Sequence, residues 1–149
     1  MNILFHFLFN YWVVDHTIGN AAQYKWFILA FSTFIDLDHI PYIISIKGDL
    51  IRKKFGSASR TRLHELYGLT IFSVAFSIFS FFYDPILAKV MALCIVLHLG
   101  IDFIIGRTRP FYPFSKQEVF LRICPDKYRI PLEIIATLIF GVLVWPIIS

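Results

Sequence analysis

Residues Leu66–Tyr83 form an unbroken run of 18 residues without one charged side chain. A run of that length and character is read as a helix that crosses a bilayer, because in hydrocarbon every backbone amide must find its partner inside the segment. Composition supports this reading for the whole chain. Apolar residues make up 58% of it, and charged residues 16%, against roughly 25% charged in soluble domains. The sequence therefore predicts an all-α integral membrane helical bundle, a single membrane-embedded domain over residues 1–149.

The apolar segments divide that bundle into about five helices. The first, residues 2–14, is apolar and aromatic but short, since a comfortable crossing takes about 20 residues. Turn chemistry at Asp15–Asn20 leads into a second helix over Tyr24–Ile40, which Pro41 should stop or kink. Segments 66–83, 86–105 and 131–148 follow, with a tight turn at Asp84-Pro85 and Glu133 near the start of the last helix. The expectation is four clear transmembrane spans plus a short N-terminal helix. The N-terminus lacks the basic stretch of a secretory signal, so residues 1–22 are kept in the fold. Neither Cys94 in an apolar helix nor Cys124 in a basic loop belongs to a CxxC pair, which argues against a disulfide framework.

The net charge is +4, and 12 of the 14 Lys and Arg residues fall in segments 47–63 and 106–130. Such clustering fits cytoplasmic loops of a multi-pass protein in the inner (cytoplasmic) membrane better than a nucleic-acid surface. No nucleic-acid partner is expected; membrane lipid is.

Against this background the ionisable groups inside the apolar segments stand out. Asp36, Asp38 and His39 are three of four consecutive positions at the end of the second helix, and His98 and Asp102 share one face of the fourth. The bland alternative is a helix end that reaches the headgroups and binds nothing. Positive-inside orientation, however, brings Asp36, His64, His98 and Asp102 to the same cytoplasmic face. The N-terminal hairpin adds His6. It lies 14 residues before Asn20, and Asp36 lies 16 after, so equal rise per residue sets the two level. His16 is read as a solvated turn residue. Imidazole and carboxylate groups without a thiolate cluster suit a divalent ion, Zn²⁺ or Mn²⁺ before Fe²⁺, as one ion or two. Arg60, Arg62, Arg107 and Arg109 flank that face, where they either hold an anionic substrate or simply signal topology.

These residues resemble a known family, the YdjM-type membrane-bound metal-dependent hydrolases, also described as LexA-binding inner-membrane proteins. Ile35-Asp36-Leu37-Asp38-His39 is similar to its P-D-I-D-H signature, and Arg60 to Glu65 to its H-R-G-F-T-H-S segment. His98–Asp102 matches its H-x-x-x-D, Pro110–Ser115 its Y-P-F, and His6-Phe7-Leu8-Phe9 its N-terminal helix. The chain departs from the family at Ile35 for proline, Ser59 for histidine and Glu65 for serine. A weaker similarity, to zinc-dependent phospholipase C proteins, points to phosphodiester or lipid substrates. Together the residues and the resemblance imply a metal-dependent hydrolase acting on a phosphoester- or lipid-like substrate. Its metal ligands would be His6, Asp36, His64, His98 and Asp102, with Asp38 and His39 as catalytic groups or further ligands, and Arg60, Arg107 and Arg109 facing substrate. The competing readings are a small ion-binding or transport protein and a non-catalytic membrane anchor.

Overall fold

The computed structural model describes residues 2–40, 62–121, 123 and 125–148. Among them are five α-helices and no strand: α1 (Ile3–Thr17), α2 (Ala21–Thr33), α3 (Leu66–Phe82), α4 (Pro85–Ile105) and α5 (Asp126–Ile148). Two short 3-10 turns, Phe34–His39 and Arg62–His64, lie between α2 and α3.

Local chemistry sets several of the boundaries. Asn2 caps α1 by accepting the Phe5 N–H at 2.7 Å. Gly19 and Asn20 turn the chain with φ of 82° and 52°, in the left-handed region these residues tolerate. Asp84 accepts the N–H groups of Ile86 and Leu87, with Pro85 at the first helical position of α4. The last helix starts at Asp126, ahead of the expected Pro131, which lies inside it. An Arg129–Glu133 ion pair at 3.2 Å bridges the turn around that proline.

The expectation of four clear spans is corrected. Among the described residues only two helices are long and apolar enough to cross a membrane, Pro85–Ile105 and Tyr128–Ile148. α3 is apolar but 17 residues long. α1 has 15 residues, and α2 ends after 13, where the backbone tightens into the 3-10 turn instead of continuing to Ile40.

α4 is the centre of the packing. It contacts α1, α2 and α3, while α5 lies against α1. Tyr11, Val14, Ile28, Val90, Cys94 and Val144 form one core between α1, α2, α4 and α5. Ile35, Phe76, Met91, Ile95 and Leu99 form another between α3, α4 and the first 3-10 turn. These pairings run α1 and α3 antiparallel to α4, and α2 parallel to it. Outward faces remain apolar: Phe81, Val142 and Trp145 are each at least 75% exposed. Apolar surface on that scale marks a face for a membrane or a protein partner.

Along α4 the buried residues change character. Ala88, Val90, Met91, Cys94 and Ile95 are followed by His98 and Asp102. Burial of the polar pair at one end of the helix locates the site.

Candidate metal centre

Four elements converge there. His6 comes from the first turn of α1, Asp36 from the first 3-10 turn and His64 from the second, and His98 and Asp102 from the last turns of α4. All three histidine side chains are fully enclosed, Asp102 is 5% exposed and Asp36 14%.

His98 is the hub. The Ser32 carbonyl lies in the last turn of α2, where helix carbonyls lack an intrahelical donor. It sits 2.7 Å from His98 Nδ1. A carbonyl only accepts, so Nδ1 carries the proton and Nε2 presents its lone pair. This is the arrangement by which proteins orient a metal-binding imidazole. Nε2 in turn lies 3.5 Å from Asp36 Oδ1. Two acceptors facing each other are stable only around a shared cation, whether proton or metal.

The remaining distances extend the pattern beyond what one proton can satisfy. His64 Nε2 is 3.6 Å from Asp36 Oδ1 and 3.7 Å from Asp102 Oδ2. His6 Nε2 is 3.5 Å from Asp102 Oδ1, and its ring stacks on His98 with centroids 3.8 Å apart. Two groups of three result, His6/His98/Asp102 and Asp36/His64/His98, each with ligand atoms within 4.8 Å of one another. Nitrogen and oxygen ligands bound at ~2.0–2.2 Å stand roughly 3–4 Å apart around one ion, so the spacing fits. Both nitrogens of His6, Asp36 Oδ2 and His98 Nε2 are buried without a hydrogen-bond partner among the described residues. Orphaned polar atoms are costly, and a divalent ion would satisfy several at once. These buried His and Asp groups can hold a metal ion.

Other expected residues fall differently. His39 stands at the rim, 19% exposed, its Nε2 3.9 Å from Asp36 Oδ1 and its ring 4.7 Å from that of His64. The side chains of Asp38 and Arg62, and all of Arg60 and Ser59, lie outside the described residues. Arg107 lies over the Phe120 ring and Arg109 over Tyr112, each at 5.0 Å. The Arg109 N–H donates to Glu65 Oε1 at 2.8 Å, so this segment is tied to the start of α3. His6 meets Asp102, where helical level alone pointed to Asp36.

Asn10, Ser32 and Glu65 were not legible as site residues. Asn10 Nδ2 donates to Ser32 Oγ at 2.7 Å and to the Cys94 carbonyl at 3.2 Å, joining α1, α2 and α4 one turn from the cluster. The available signal was its spacing: Asn10 lies four residues after His6, on the same helical face.

The geometry separates the two N-terminal histidines. His16 is exposed, its Nδ1 2.8 Å from the Trp12 carbonyl, far along α1 from the cluster. In a competitive zinc titration His6→Ala should weaken binding by about tenfold or more, and His16→Ala should leave it unchanged. Equal losses would show that the enclosed cluster is not where zinc binds.

Comparison of the chain with family models, with curated proteins and with solved structures finds no match in any of the three.

Proposed function

We propose that this chain is a multi-pass membrane protein of the YdjM type, a metal-dependent hydrolase with its centre at the cytoplasmic face. The observation that carries the reading is the pair of buried His/Asp groups sharing His98, whose Nε2 is aimed at Asp36 by the Ser32 carbonyl. His6, Asp36, His64, His98 and Asp102 would hold a divalent ion, Zn²⁺ or Mn²⁺, which would supply Lewis acidity and make water a stronger acid. The protein's own residues supply the rest. His6, His64, His98 and Asp102 are closed to solvent, so the reacting edge is the one bearing Asp36 and His39. His39, at the rim beside Asp36, would take the proton of the attacking water and return it to the leaving oxygen. The reaction is hydrolysis of a phosphoester- or lipid-like substrate: the water oxygen bonds to phosphorus, and the bond to the leaving alkoxide breaks. The basic segments draw an anionic headgroup to the surface.

The direct test is hydrolysis of phosphoester lipids in vesicles by purified protein. Activity should vanish on chelation, return with Zn²⁺ or Mn²⁺, and be missing from His98→Ala. Metal bound without hydrolysis would favour the ion-binding reading. Orientation is tested separately by cysteine labelling of sealed membranes. Gln117→Cys should react from the cytoplasmic side and Tyr83→Cys from the other. Labelling of both from one side would remove the membrane topology on which the site's placement rests.

A further inference from the structure

Beside the metal centre is a second feature that the hydrolytic chemistry does not use. A cavity of about 430 Å³ opens between α3, α4 and the segment after α4. Small-molecule pockets span roughly 300–1,000 Å³ and are mostly apolar with a few placed polar groups. Leu69, Val96, Leu99 and Phe103 line it together with His64, so the cavity and the metal centre share a side chain. Thr108 also lines the cavity and is 2% exposed, and its Oγ1 is buried with no hydrogen-bond partner among the described residues. Val96 and Phe103 are partly exposed on the outer face of α4, where the membrane reading puts hydrocarbon.

We infer that this cavity seats one acyl chain of a bilayer lipid, with the chain's polar end at His64 and Thr108. Three observations select that occupant. The side chains lining it are apolar apart from His64, Glu65 and Thr108, two of them, Val96 and Phe103, are also exposed on α4, and one, His64, belongs to the metal centre. Thr108 Oγ–H would donate to an ester oxygen of the lipid. The inference rests on the hydrolase reading and names its substrate class, a lipid phosphoester entering sideways from the bilayer.

Gly100 provides the test. It lines the cavity, and a Cβ built on it meets nothing within 4 Å, so a side chain added there starts in open space. The full chain is reconstituted in phosphatidylcholine vesicles containing a trace of lipid with a photoactivatable diazirine acyl chain. Cross-links are then mapped by mass spectrometry. On the wild type, Leu69, Leu99 and Phe103 should be labelled well above Leu138 and Val142, exposed residues of α5 that report ordinary lipid contact. Gly100→Leu should cut the cavity labelling about tenfold and leave α5 labelling and zinc content unchanged. Wild-type labelling of the cavity no higher than that of α5 would overturn the proposal, whatever the variant does. So would cavity labelling that survives in Gly100→Leu. Zinc content separates the two claims. Loss of cavity labelling preference with zinc bound refutes only the acyl seat, whereas strong cavity labelling without bound zinc refutes only the metal centre.

Discussion

Replacing His98 by alanine should lower zinc affinity by more than about 100-fold, the largest loss of any single substitution in the cluster. The reason is its double membership. His98 completes both His/Asp groups, so its removal leaves neither intact, while His6→Ala or Asp36→Asn each spares one. It is also the histidine whose tautomer is fixed by a backbone carbonyl, so its lone pair is aimed before any ion arrives. Competitive titration against a chromophoric chelator reads the affinity, and circular dichroism confirms that the helices persist. A loss no greater than that of His6→Ala would make His98 one ligand among equals and remove the shared-hub account.

Gly68→Ala should be the most damaging small substitution outside the cluster. The second 3-10 turn folds back on the first turns of α3 so tightly that a Cβ on Gly68 would run into the Leu63 backbone, 2.6 Å from its Cα. Backbone cannot rotate aside as a side chain can. Overpacking of this kind costs about 1–3 kcal/mol, more than the ~1 kcal/mol that alanine gains over glycine in a helix. Leu63 is next to His64, so the shift also displaces a candidate ligand, and zinc affinity should fall about tenfold. Gly100→Ala is the control, since nothing stands near its Cβ. It should leave stability unchanged or raise it. Denaturation in detergent distinguishes the two. Equal effects would mean that the turn yields freely and does not fix His64.

How much of this was legible in the chain follows from the range of each signal. His98 and Asp102 could be paired from sequence because a four-residue spacing fixes one helical face. His6 could be raised to the level of the acidic motif because two helices joined by a short turn climb at the same rate. Which partner it meets depends on rotation about the helix axis, and packing set that: His6 stacks on His98 and faces Asp102. The change from α2 to a 3-10 turn at Phe34 has no helix breaker to mark it, for no Gly or Pro stands between Ala21 and Pro41. Hence both the second helix and the number of spans were overestimated. Asn10 and Ser32 were hidden for another reason. Their role lies in hydrogen bonds between helices, and a lone Asn or Ser in an apolar segment does not announce its partner.

The central claim, that these histidines and aspartates hold one divalent centre, is tested most directly by X-ray absorption at the zinc edge on protein purified with zinc. The account predicts a shell of nitrogen and oxygen ligands at about 2.0–2.2 Å, with the outer-shell scattering of more than one imidazole, and loss of that signature in His98→Ala. A sulfur shell near ~2.3 Å would contradict it by placing the metal on cysteine. So would an unchanged spectrum in His98→Ala.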